Sequence, residues 1–494
     1  MSALLVLALT VPLLGLVPLL LAGPRVGERA ALAVLAIGAG LCVAVGVAVA
    51  LSGRALQYFV AGLAPPLGIG LRADGFSAAM MGMSALVLAL TAFYAMRAPG
   101  AGAPRMPPAF FMLLLALASA LNLAFLAQDL FTLYVALELL TFAAVPLVCL
   151  DGKPGQLRAA MTYLMFALFG SVLYLLGVVL VYGQFGTLDF ARLSAALALA
   201  PPGWSFGAAL ALMSAGLMAK AALFPLHLWL PPAHAGAPPA ASAVLSAVVI
   251  KAPLFLLVRL WADLAPVPMA QAAAPVLAIC GAGAILVCGV VALAQVRLKL
   301  LIAYSTAAQI GYLGLMFPLA AGADAYWSAL AWTGGTLHLV SHAFSKAAMF
   351  MAAGLIAEVF GHDRLAGLKG AARVAPLSIA AFGIGGLSLL GLPPSGGFTA
   401  KVMLLTSALQ QGAWWIGVVV LAGGLLAGGY VLRLLVLALQ RPEDGTLPAA
   451  RECGWRAGIA LALAFGAVAL GFLPLAPLGF LSIGRPIAWE GLAP

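Results

Sequence analysis

The chain has 494 residues, of which 65% are hydrophobic and only 8% charged, and its formal net charge is +10. Soluble domains carry about 25% charged residues, so this composition excludes a water-soluble enzyme, a disordered chain and a disulfide scaffold. A positive balance that would suggest nucleic acid on a soluble protein is read here through the positive-inside rule, with the lipid bilayer as the partner and no nucleic acid expected.

About 20 apolar residues cross the hydrocarbon as a helix, which predicts an all-α polytopic membrane protein of about 14 spans, taken in order along the chain. The first lies at 3–21; Arg25 and Arg29 follow its apolar run rather than precede it, so it is read as a retained helix and not a cleavable signal peptide. Spans at 30–51, 76–95, 109–127, 130–150 and 159–182 come next. The seventh, 206–224, runs into Phe224-Pro225-Leu226-His227 and Pro231-Pro232, so it reads as broken. Further spans lie at 239–260, 272–294, 300–319 and 326–357, the last over-long and polar in its middle. The twelfth, 375–392, is interrupted by Pro393-Pro394-Ser395-Gly396-Gly397 and completed by 397–411, before spans at 413–439 and 457–481. Broken helices persist at membrane depth only where protein or a wet cavity satisfies the freed backbone, and one in each half of a chain points to a transport site between inverted repeats.

Loop charges predict the orientation. Connections after odd-numbered helices hold Arg25, Arg29, Arg97, Arg105, Lys153, Arg158, Arg297, Arg364, Lys369, Arg373, Arg441, Arg451 and Arg456. Those on the opposite side hold mainly Arg54, Arg72, Arg192, Arg259 and Arg485, so both termini are expected on the outer face of the inner (plasma) membrane. The longest connections, near 52–75 and 360–374, leave no room for a soluble domain. The five cysteines form no closely spaced pair, and no phosphate loop, dinucleotide fingerprint or nucleophile elbow occurs. No cofactor, metal or redox site of its own is therefore expected, and whether the chain serves an enzyme is left to the complex around it.

The informative pattern is where each cation sits. Of 17 arginines nearly all are placed in loops, whereas five of seven lysines (Lys220, Lys251, Lys299, Lys346 and Lys401) lie in or at the edge of apolar spans. Arginine does not give up its proton in a protein; a desolvated lysine can. Charges within a membrane are costly and functional by default. Lys220 precedes the first break, Lys251 lies mid-span, and Lys401 follows the second break; Lys299 is close enough to an edge to snorkel. Glu138 is the carboxylate well inside a span, with Lys220 or Lys251 as its expected partner, while Asp129 reads as a helix cap. His338, His342 and Lys346 recur every four residues as a polar stripe, suited to passing protons. The spacing H-L-V-S-H lacks the glutamate of H-E-x-x-H, which disfavours metal. His227 and His234 flank the first break, and Ser305, Thr306, Ser341 and Ser345 are candidate supports for water.

The runs AKAALFPLHLWLPPAHAGAPPAASAVLSAVVIKAPLFLLVRL, LKLLIAYSTAAQIGYLG, SHAFSKAAMFMAAG and GLPPSGGFTAK, spread over about residues 60 to 440, resemble the antiporter-like subunits shared by respiratory complex I, Mrp-type Na+/H+ antiporters and membrane-bound hydrogenases. The resemblance implies fourteen helices, with helices 4–8 and 9–13 as inverted repeats and helices 7 and 12 broken. That divides the chain into 1–100, 101–262, 263–440 and 441–494. It matches Glu138 to the fifth-helix glutamate, Lys220 to the broken-helix lysine, Lys251 to the eighth-helix lysine, and Lys401 to the second broken helix. His338, His342 and Lys346 fall on the eleventh helix. Lys401 resembles the Mrp D-type subunit or the smallest of the three complex I paralogues, and the segment LAPPLGIGLRADGFSAAM leans toward the Mrp D-type, while Leu137 stands where tryptophan is usual and Pro253 where glycine is common. The expected function is proton translocation within a multisubunit membrane complex. Protons would be taken up near Lys251 and pass through His227, His234 and Lys220; they would leave by way of Lys346 and Lys401, with Lys299 in support. The alternatives are a Na+ or small-solute transporter and a non-conducting structural subunit, with Na+ carried elsewhere in the complex as a further option.

Overall fold

Inside hydrocarbon every peptide group must find its partner within the protein, which is why so apolar a sequence folds as helices. The computed structural model describes residues 3–21, 24–96, 106–199, 203–442, 447–473 and 479–484; Arg97, Arg105 and Arg485, counted above as loop cations, lie outside them. Among the described residues twelve helices are long and apolar enough to cross a membrane. The two predicted spans not in that set are those the prolines break. Trp204–Lys220 has 17 residues, and Pro376–Leu390 and Gly396–Gln410 have 15 each. Cis peptide bonds occur at Phe224-Pro225 and Pro393-Pro394.

The chain forms two compact units, the first comprising Met1–Ala222, Val249–Ala273 and Leu478–Pro494. Pro12 lies inside its opening helix, Ala3–Leu14. A proline has no N–H to give the carbonyl four residues back, and here Asn122 Nδ2 donates to the Ala8 oxygen (2.7 Å) while Ser119 Oγ donates to that of Leu9 (2.8 Å). The 52–75 connection, one of the two longest, folds as an antiparallel hairpin of Leu56–Phe59 against Gly70–Ala73. It delivers Asp74 as the cap of helix Gly75–Ala95, accepting from the Ser77 amide at 2.9 Å. The described end of the chain returns to this corner: the Gly75 amide donates to the Ile483 carbonyl (3.0 Å) and Arg72 to that of Gly484. Helices Pro154–Phe185 and Trp204–Lys220 pack backbone against backbone, since a methyl group on Gly170 would stand 2.6 Å from the Gly216 oxygen.

The second unit comprises Leu223–Val248 and Ala274–Pro477. Its core helices are Leu298–Ala320 and the 36-residue Ala325–Phe360, both largely buried despite their polar content. Gly281 and Gly311 repeat the glycine contact of the first unit, a methyl on Gly281 falling 2.4 Å from the Gly311 oxygen. At the second break Gly391, at φ +89°, ends one helix in a conformation that glycine adopts readily. Ser395 then caps the next, accepting from the Phe398 amide at 3.1 Å. Charges at and near helix ends also stitch this unit together. Arg297 pairs with Asp363 (2.9 Å) and Arg456 with Glu358 (2.8 Å), and Glu452 accepts from the free amides of Leu377 and Ser378.

Candidate functional site: buried lysines in two settings

In the first unit the residues predicted to pair do so. Lys220 is the last residue of its helix, where the dipole favours a cation, and its Nζ lies 3.2 Å from Glu138 Oε1. The same nitrogen donates to Thr141 Oγ1 at 3.0 Å and to the Leu137 carbonyl at 3.5 Å. An ammonium has three N–H donors, and here each has an acceptor. The Thr141 hydroxyl donates to the Leu137 oxygen (2.8 Å), which leaves its lone pairs to Lys220. Ser171 Oγ donates to Glu138. Of the two expected partners of Glu138, it is Lys220 that forms the ion pair. Asp129 is the cap expected of it, accepting from the Thr132 amide at 2.7 Å.

Lys251 is fully buried and opens the helical segment Lys251–Arg259, directly after a π-helical turn at Leu245–Val249. Lys251, Phe255, Arg259 and Asp263 recur every four residues along one helical face. Phe255 is held between Phe76 and Phe125, with ring centroids at 4.8 and 5.1 Å. Arg259 corrects the sequence reading, which placed it among loop cations: it is buried, with Nη1 at 2.7 Å from Asp74 and 3.0 Å from Asp263. Arg72 approaches the same Asp74 oxygen at 4.0 Å. The helix runs on through a second π turn, Leu260–Leu264, so Arg259 stays within the span rather than in the connection. An Arg–Asp pair four apart and an aspartate heading an apolar run were the available signals.

In the second unit His338, His342 and Lys346 share one face of Ala325–Phe360 and all are buried. Lys346 Nζ donates to Ser305 Oγ and to the Ile302 carbonyl (3.2 Å). Ser305 also hydrogen-bonds Tyr430, whose hydroxyl accepts from Gln309 Nε2 at 3.3 Å. His338 Nε2 is 3.1 Å from the Gln309 carbonyl oxygen, its ring is 4.8 Å from that of Tyr312 and 6.1 Å from that of His342. Lys401 Nζ lies 4.4 Å from the centre of the Tyr312 ring and donates to the carbonyls of Leu389 (2.5 Å) and Leu390 (3.3 Å) at the helix break. Ser341 and Ser388 are within 3.0 Å, as are Ser246 and Thr306 at 2.8 Å. Polar side chains thus succeed one another from Lys346 to Lys401. Gln309, Tyr312 and Tyr430 were not singled out from sequence, although the first two lie in the run QIGYLG.

The residues around the first break are placed separately. His227 stacks on Phe224 at 5.5 Å, and His234, fully buried, stacks on Phe350 at 4.7 Å. Lys299 Nζ donates to the Ala237 carbonyl at 3.0 Å, a tether across the end of helix Leu230–Gly236. Among the described residues no group of three or more His, Cys, Asp or Glu is placed to hold a metal ion.

These features define a multi-span membrane protein with ionisable groups held at helix breaks. Residues 127–427 match the family described as NADH:quinone oxidoreductase/Mrp antiporter, transmembrane, and the chain belongs to it. It is 35% identical to the NADH-quinone oxidoreductase subunit N of Desulforudis audaxviator (strain MP104C) over 84% of this chain and 81% of that one. It is also 27% identical to the D-type Na+/H+ antiporter subunit of Alkalihalophilus pseudofirmus, over 77% and 75% of the two chains. A chain in the structure of the Mrp complex from Dietzia sp. DQ12-45-1b superposes with a TM-score of 0.85 at 26% identity, covering 95% of this chain and 94% of that one.

Proposed function

We propose that this chain translocates protons across the membrane as an antiporter-like subunit of a multisubunit complex. The carrying observation is the Glu138–Lys220 pair, a lysine whose three hydrogens are all accepted at the end of a broken helix. While the carboxylate is close, the ammonium is stabilised. When it withdraws, desolvation favours the neutral amine and the proton leaves. A membrane potential of 100 mV is worth about 2.3 kcal/mol per charge, enough to move such a balance by more than tenfold. Lys251, His227 and His234 serve uptake and Lys346, His338, His342 and Lys401 serve release, with Lys299 in support. The repeats 101–262 and 263–440, with both termini outward, are the frame for this reading. Redox or antiport partners reside in other membrane subunits, a view supported by relatives named as subunits of such assemblies.

The test is reconstitution of the complex in vesicles with Lys220→Ala or Glu138→Ala in this chain. Loss of proton transport in both is expected, and wild-type transport in both rejects the reading. Sodium flux measured in parallel distinguishes a Na+ pathway.

A further inference from the structure

Lys401 differs from Lys220 in what surrounds its charge. Its partners are two backbone carbonyls freed by the second break and one aromatic face; among the described residues no carboxylate lies within 4.0 Å of its nitrogen. The fold reserves space for this arrangement. A methyl group on Gly391 would sit 2.9 Å from Lys401 Cδ, and one on Gly423 would sit 2.4 Å from the Tyr312 hydroxyl. That hydroxyl donates to the Val420 carbonyl at 3.2 Å, and the His338 ring lies 4.8 Å from the Tyr312 ring.

We propose that Tyr312 is a positioning residue for Lys401, holding the ammonium over the helix break through the face of its ring rather than through its hydroxyl. An aromatic face attracts a desolvated cation through its quadrupole, and the hydroxyl is already committed to Val420. The carbonyls of Leu389 and Leu390 alone leave one ammonium hydrogen without an acceptor, and the ring fills that place. Tyr312 also contacts His338, so one ring touches two ionisable groups. This assignment rests on the reading of Lys401 as a member of the proton route.

The experiment is a double-mutant cycle in the intact complex, purified through this chain and reconstituted in vesicles, with proton transport and melting temperature both recorded. Tyr312→Phe keeps the ring and is expected to stay within about twofold of wild type in transport. Tyr312→Leu removes the ring and is expected to lower transport about tenfold, a size set by a desolvated cation–π contact. In a Lys401→Gln background Tyr312→Leu is expected to cause no further loss of transport and a smaller drop in melting temperature than it causes in the wild type. Equal losses for Tyr312→Phe and Tyr312→Leu would overturn the assignment by making the hydroxyl the active group. An undiminished drop in melting temperature for Tyr312→Leu in the Lys401→Gln background would overturn it as well, because the ring would then act by packing alone. The proton-route reading fails separately if Lys401→Gln transports normally. A melting-temperature coupling between 312 and 401 would still establish the contact in that case.

Discussion

The two units solve the same problem, a cation at membrane depth, by different chemistry. In the first, Lys220 is held by a full countercharge, Glu138, itself supported by Ser171. In the second, Lys401 is held by carbonyl and aromatic groups, with no carboxylate among its described contacts. A countercharge gives strong stabilisation that disappears when it moves; dipoles and rings give less, spread over several contacts. On the proposed reading, the first arrangement serves as a switch and the second as a resting place along the route.

Substitutions can break this contrast at several points. The largest effect is expected for Arg259→Leu, which leaves Asp74 and Asp263 buried without their shared partner. Losing one member of a buried ion group costs about 3–5 kcal/mol, so the yield of folded complex and its melting temperature should both fall. The Glu138–Lys220 pair of the proposed route follows. Glu138→Leu and Lys220→Met should each destabilise by several kcal/mol, whereas the double variant should recover most of that stability while remaining inactive. If the double variant is as unstable as the sum of the singles, the pair is not a unit. Gly216→Ala sharpens the comparison from the packing side: a methyl group there meets the Gly170 oxygen at 2.3 Å. Overpacking of about 1–3 kcal/mol is expected, with transport falling further than stability because Lys220 lies one turn on. The smallest effects are expected from Thr141→Val and Ser305→Ala. Each removes one hydrogen bond from a lysine, worth about 1 kcal/mol or a fivefold change in transport. Thr141→Val should be the milder of the two, because Glu138 remains to hold Lys220, and vesicle assays of both variants test that order.

Much of this arrangement was legible in the chain. Helices, breaks and the placement of lysines against arginines follow from apolar run length, Pro-Pro and Pro-Leu-His signals and the cost of buried charge. The pairing of Glu138 with Lys220 was narrowed to two lysines by the same reasoning. What escaped was set by contacts between distant segments. Arg259 looks like any arginine near the end of an apolar run until Asp74, from a helix cap far upstream, is brought against it. Tyr312 and Tyr430 look like ordinary aromatic residues of buried helices, and only the second break, by presenting Lys401, gives the Tyr312 face a charge to hold. The hairpin at 56–73 was hidden because its strands are four residues long and alternate only weakly.

The return of Ile483 and Gly484 to the corner formed by Arg72, Asp74 and Gly75 has a consequence for biogenesis. The two arms of the Arg72–Gly484 contact are 412 positions apart, so the ribosome must deliver every helix of the second unit before that corner of the first can close. Membrane insertion can proceed in order, but tertiary closure cannot. Until that late segment is released, the corner at Arg72 and Gly75 lacks the contacts that Ile483 and Gly484 make with it.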